Sequence, residues 1–306
     1  MPNKKERIKE LLKIRENKDI IWHYTSMDIF KSFIFGETGL YATHVRFLND
    51  STEIKYGLGL LKKQYDNCLA LLNKKKVRKD IAKLIKPKLH QMEQVRDQIK
   101  VLDSIDAYVT CFSKDCDSLY QWRSYTPEGG VSIGFSRQEL QKTIFGTNPK
   151  KIGMINDNSA FWMFPYSSTP SATDNIVGCI GECLYNEDQR KDTLVKLLFS
   201  TKKADVNIAN TFFLAALMKH KSFEAENEVR IVYCGVPCFE KIEIVGNKPR
   251  IPIVGACPNK MRQLIKGVVV SPHGNKEQNF YLAHLLAHKY NLDWEPIPSS
   301  SPYIRG

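Results

Sequence analysis

The chain of 306 residues is 42% hydrophobic and 25% charged, enough to bury a sizeable core, and no stretch approaches the roughly 18 apolar residues of a membrane span. Its charged start, MPNKKERIKELLKIRENK, has no apolar signal core, so the expectation is a cytoplasmic protein with no membrane partner. A formal net charge of +12 points either to phosphate-bearing partners, nucleic acid or a phosphorylated small molecule, or to a merely solvated basic surface.

In chain order, residues 3–17 have near-helical apolar spacing and predict a short amphipathic helix. A strand over 20–25 follows, IIWHYT, and then a helix from Met27 to Phe35, with Ser26 as its cap and Gly36 beyond its end. A second strand is read at Leu40-Tyr41-Ala42-Thr43. Asn49-Asp50-Ser51 reads as a turn and cap, placing Glu53 in the first turn of the next helix, where the dipole favours a carboxylate. Two charged helical patterns over about 51–75 and 77–102 predict a hairpin inserted at the periphery, residues 51–104.

From residue 105 the pattern turns to strands, IDAYVTCFS and GGVSIGFS, separated by the aromatic-rich DSLYQWRSYTPE. Residues 150–178 read as a loop. After it come a strand near 178–185, one long helix near 187–220, a strand at 228–234 with a hairpin partner near 240–245, a strand at 267–271 and a helix near 276–290. Without βαβ regularity, this order predicts a single α+β domain over 1–306.

The eight cysteines include the close pairs Cys111/Cys116, Cys179/Cys183 and Cys234/Cys238. They are read as reduced, packed thiols rather than disulfides or zinc knuckles, since they lie in or beside strand-like runs. GXGXXG and GXXXXGK[ST] are both absent, which argues against Rossmann and P-loop chemistry. His284 and His288 stand at i and i+4, a metal-compatible spacing, but with no glutamate between them to act as base they read as a half-buried helix face and no metal is expected. FEAENEVR is more specific: Glu226 and Glu228, two apart in a strand, would project together, with Arg230 as a surface counter-charge.

FLNDSTE, CFSKDCDSLYQWRSYTPEGGVSIGF, FEAENEVRI, IKGVVVSPHGN and SSSPYIR stand in the order of a bacterial family catalogued as domain of unknown function 2971, and the chain is identified as a member of it. The family's members look like components of mobile elements and phage-defence loci. Its motif order resembles that of ADP-ribosyltransferases, which implies a split mixed or antiparallel sheet and NAD as substrate. Under that resemblance His23 matches the His that positions the NAD ribose, with Tyr24 where related transferases have glycine, followed by Thr25. Thr110, Ser113 and Tyr120 are the candidates for the middle element, and Glu226 and Glu228 fit the Glu-x-Glu.

Glu228 is then expected to stabilise the developing ribose cation and Glu226 to act on the acceptor. Tyr24, Trp122 and Tyr125 are candidates to stack on nicotinamide or adenine, and Arg46 and Arg123 to grip the pyrophosphate. The acceptor would be nucleic acid or a nucleic-acid-associated protein, in a toxin or phage-defence role. Two rival readings stand beside this one. The first is a metal-dependent nuclease using Asp50, Glu53, Glu226, Glu228 and the histidine pair; the second is a non-catalytic module binding phage nucleic acid or protein.

Overall fold

The computed structural model describes residues 17–48, 52–73, 83, 89–102, 106–145, 150–156, 159–165, 175–199, 208–234 and 241–302. Nearly all of the expected helix over 3–17 lies outside these residues, as do the Asn49-Asp50-Ser51 cap and residues 303–306.

The amino-terminal segments follow their sequence signals. Strand β1 (Ile20–Thr25) leads into helix α1 (Met27–Phe35), where the Ser26 hydroxyl accepts the Ile29 N–H at 3.3 Å and Gly36, at φ 75°, closes the helix in the left-handed region. Phe30, Phe33 and Ile34 share the buried face of α1. Strand β2 (Leu40–His44) is followed by helices α2 (Glu53–Asn73) and α3 (Leu89–Leu102). Strand β3 (Ala107–Ser113) precedes a short helix α4 (Leu119–Tyr125), then β4 (Val131–Ser136) and α5 (Arg137–Phe145).

Several later elements differ from the sequence reading. The stretch read as a loop contains β5 (Lys150–Asn156), β6 (Ser159–Pro165) and the start of β7 (Asn175–Glu182). KKIGMIN and SAFWMFP within it pair as neighbouring strands, and SAFWMFP pairs in turn with β7. Within the long helix expected near 187–220, α6 (Glu187–Phe199) and α7 (Ile208–Leu217) are described, and the stretch between them lies outside the described residues. β8 (Glu228–Cys234) is flanked by β3 and β7 rather than by a hairpin partner. β9 (Glu243–Val245) pairs instead with β10 (Lys248–Val254) through a turn at Gly246-Asn247, both at positive φ. α8 (Pro258–Leu264), β11 (Ile265–Val270), α9 (Lys276–Lys289) and β12 (Pro296–Pro298) complete the order.

The fold is α+β. All twelve strands of the described residues join one mixed sheet, antiparallel except where β12 runs parallel to β11. Successive side chains of its central strands point to opposite faces, and both faces are covered. On one face Tyr108, Phe112, Val229 and Ile231 meet α1, α8 and α9; on the other Val109 and Val232 meet α2, α3 and α7. The α2–α3 pair is therefore no peripheral insertion, because Leu58, Leu61 and Tyr65 are buried against Phe212 and Phe213 of α7.

One departure from regular pairing places the site. β8 pairs along one whole edge of β3. The other edge is shared: β1 meets it only at Trp22 opposite Ser113, and β2 only at Thr43 and His44 opposite Val109 and Tyr108. The sheet forks there, one limb running through β1, β4, β11 and β12 and the other through β2, β10 and β9. Backbone groups between the limbs must find other partners. His23 Nδ1 bonds the Cys111 carbonyl at 3.1 Å, and the Thr110 hydroxyl donates to the Tyr41 carbonyl at 2.9 Å.

Candidate functional site

A cleft of about 690 Å³ opens at this fork. His23, Tyr24 and Thr25 of β1 form part of its wall, with Tyr41 and Thr43 from β2, Thr110–Ser113 from β3, and Lys248 and Arg250 from β10. Glu53, Lys219, Glu226, Glu228 and Arg230 form its acidic side.

These five charges are buried together, none more than 8% exposed. Arg230 holds Glu228 with two nitrogens, Nε to Oε1 at 2.8 Å and Nη2 to Oε2 at 3.0 Å; Nη2 also bonds Glu53, and Nη1 donates to the Ala216 carbonyl at 2.8 Å. Lys219 Nζ reaches all three carboxylates, Glu228 at 2.7 Å, Glu53 at 3.2 Å and Glu226 more closely still. Buried charge survives only when paired in this way. Three carboxylates against two cations leave the cluster with an excess of negative charge.

The excess falls on Glu226. Burial, and then the Glu228 charge, push its carboxyl above the usual range. Burial would raise Glu228 too, but Arg230 and Lys219 outweigh it and hold that carboxyl low. Lys219 is itself buried, yet the surrounding carboxylates raise its pKa further, so it stays an ammonium and is no base. Both oxygens of Glu53 and of Glu228 are bonded, whereas Glu226 is held through Oε2 and its Oε1 takes no hydrogen bond among the described residues.

The two glutamates converge for a reason other than strand alternation. Glu226 ends a 3₁₀ segment, Lys221–Glu226, and β8 begins only at Glu228. Between them Asn227 takes the left-handed conformation, φ 45°, which Asn tolerates and which turns both side chains to Lys219. The Ser113 hydroxyl and Gln121 Nε2 both donate to the Glu226 carbonyl, at 2.8 and 3.0 Å, and fix the turn.

Across the cleft, the bond from His23 Nδ1 to a carbonyl makes that nitrogen the protonated one and leaves Nε2 as an acceptor. Burial lowers the pKa of His23, with the Arg250 charge acting the same way, so the ring is neutral. Arg250 has its Nε buried without a hydrogen-bond partner among the described residues. Burial pushes the thiols of Cys111 and Cys183 well up, which keeps them protonated.

Of the residues singled out from sequence, His23, Tyr24, Thr25, Thr110, Ser113, Tyr125, Glu226 and Glu228 line the cleft; Arg46, Tyr120, Trp122 and Arg123 do not. Trp122 is a core residue, fully buried, its indole N–H donating to Asp117 at 2.8 Å, so it has no face to offer a ligand. Tyr24 turns its hydroxyl away from solvent, donating to the Asp115 carbonyl at 2.7 Å and accepting the Ser118 N–H at 2.8 Å, with its ring edge-on to Trp122. Arg230 is 1% exposed and belongs to the buried cluster, not to a surface pair.

Lys219 and Arg250 went unnoticed in the sequence. Lys219 carries one signal, a cation directly closing the largely apolar run IANTFFLAALM; Arg250 carries none. The SPHGN and SSSP motifs are structural ties. Ser271 accepts the Gly130 N–H, while Ser299 and Ser300 donate to Asp117.

Among the described residues no helix is long and apolar enough to cross a membrane, and seven cysteines are free. Neither the curated proteins nor the solved structures yield a match. Residues 121–231 match a family described as protein of unknown function (DUF2971). The segment that supplies Lys219, Glu226, Glu228 and Arg230 thus lies within the part of the chain that matches DUF2971.

Proposed function

We propose that the cleft binds NAD and breaks its nicotinamide–ribose bond, passing the ADP-ribosyl group to nucleic acid, to a nucleic-acid-associated protein, or to water. One observation carries this reading: a neutral imidazole with a lone pair to offer and a carboxylate with one unbonded oxygen line the same cleft, which has the volume of a cofactor site. As the bond breaks, its electron pair leaves with nicotinamide and positive charge grows on the ribose. The surplus negative charge of the cluster favours that state over the ground state.

The roles of the two glutamates then differ from the first assignment. Glu226, with its unbonded oxygen and raised pKa, meets the sugar or takes the acceptor's proton. Glu228, clamped by Arg230 and Lys219, orients the group beside it. His23 accepts a ribose hydroxyl, and the basic balance of the chain suits a nucleic acid acceptor. Uncontrolled loss of NAD would poison a cell, in keeping with a toxin or phage-defence role.

The nuclease reading is less well supported, because the Lys219 ammonium already sits where a divalent ion would bridge Glu53, Glu226 and Glu228. The test is incubation with NAD, following nicotinamide by chromatography. We expect release by the wild-type chain and at least a hundredfold loss in Glu226→Gln, with an unchanged circular-dichroism spectrum. Intact NAD with the wild type, or equal turnover in the variant, would sink the assignment; plasmid or transfer RNA cleavage abolished by EDTA would favour the nuclease.

A further inference from the structure

Away from the cleft, α9 presents His284 and His288 on one side, one turn apart, with ring centroids 4.3 Å from each other. Both face Glu295: His284 Nδ1 lies 2.9 Å from Oε2 and His288 Nε2 lies 3.2 Å from Oε1. The carboxylate missing between the histidines in sequence is supplied by the chain after the helix. Asn291, at φ 49°, reverses the backbone in the left-handed region. Trp294 is then buried in the core and Pro296 enters β12 opposite Val268, so Glu295 is fixed by anchored neighbours on both sides.

We propose that His284, His288 and Glu295 form a binding site for a divalent transition ion such as Zn²⁺, Ni²⁺ or Co²⁺. The donor set is two imidazole nitrogens and one carboxylate, all within 4.8 Å of one another, and these ions favour it. Bonds of about 2.0–2.2 Å at a near-tetrahedral angle put ligand atoms about 3.3 Å apart. The N–O separations of 2.9 and 3.2 Å need shifts of only a few tenths of an ångström. Among the described residues no lysine or arginine neutralises Glu295, whose ion pairs there are with the two histidines.

His288 and Glu295 are partly exposed, their side chains 62% and 36% accessible, so ions can enter. Three protein ligands leave a fourth position to water, the arrangement of an open rather than a closed site. The bound ion ties the last turns of α9 to the strand that edges the sheet.

The experiment strips the untagged chain with EDTA and titrates Zn²⁺, Ni²⁺ and Co²⁺ by calorimetry, with a Co²⁺ absorption spectrum alongside. We expect one ion per chain, a visible Co²⁺ band and a higher unfolding temperature. His288→Ala, at an exposed position, should weaken binding at least tenfold, and His284→Ala with Glu295→Gln should abolish it. Absence of binding in the wild type, or equal stoichiometry and affinity in His288→Ala, would overturn the proposal, the latter by showing that cysteines or other groups hold the ion.

Discussion

Two carboxylate-bearing sites in this chain meet opposite fates. In the forked cleft, Glu53, Glu226 and Glu228 surround an ammonium and a guanidinium built into the chain, so their counter-ion is covalently attached and always present. Beside α9, Glu295 faces, among the described residues, two imidazoles, which are neutral when they ligate and can share the carboxylate with an ion from solution. The same acidic group is therefore a fixed electrostatic element in one place and an open ligand in the other. Position of the nearest permanent cation, not number of carboxylates, separates the two.

The largest test of that contrast removes the built-in cation. Lys219→Ala leaves three buried carboxylates facing Arg230 alone, and breaking a buried ion network in this way costs about 3–5 kcal/mol. Urea unfolding measures it. In addition, millimolar Mg²⁺ or Ca²⁺ should raise the unfolding temperature of the variant and leave that of the wild type unchanged, as the ion takes the place of the ammonium. A variant as stable as the wild type, or one indifferent to these ions, would show that the cluster is not organised around Lys219.

The helical hairpin also separates what the sequence reveals from what it hides. Its helices are legible from period alone, but their placement is not, because an apolar stripe does not say what will cover it and only the folded chain shows Leu58, Leu61 and Tyr65 meeting α7. Gly57 is where α2 presses on α7: a Cβ there would lie 2.1 Å from the Ala215 carbonyl oxygen, whereas at Gly59 nothing stands within 4 Å. Gly57→Ala should cost about 1–3 kcal/mol through overpacking. Gly59→Ala should instead add about 1 kcal/mol from helix propensity. Equal effects in thermal unfolding would return the hairpin to the periphery.

The same logic holds for the site. His23, Glu226 and Glu228 were legible because a strand ending in His and a Glu-x-Glu are local patterns. Lys219 and Arg250 were not, since their importance comes from pairing across the fold. Of the candidate stacking residues in DSLYQWRSY, Tyr125 lines the cleft but Trp122 is core, and the first serine of the segment is a backbone anchor for Tyr24. Tyr24→Phe isolates the point: it orphans the Ser118 N–H, at a cost of about 1–3 kcal/mol. If the ring is only structural, turnover of NAD per folded molecule should not change. A fall in turnover with unchanged stability would put Tyr24 back against the ligand.

The smallest expected effect distinguishes the two neighbouring glutamates by pH. Glu226 has a folded-state pKa above its unfolded value, so its contribution to stability is complete below about 4.3, the ordinary value for Glu, and is lost as pH rises through the higher folded value. Glu228 is depressed, so its contribution is present above that ordinary value and is lost as pH falls toward the folded one. Glu226→Gln should therefore flatten the decline in stability on the alkaline side of pH 4.3 and change the maximum by no more than about 1 kcal/mol, since it removes the surplus charge and leaves Lys219 paired with Glu53 and Glu228. Glu228→Gln should flatten the acid side and lower stability across neutral pH. Identical pH profiles for the two variants, measured by urea unfolding between pH 3 and 8, would mean that the surplus charge is shared by the whole cluster and that Glu226 has no special claim to the substrate.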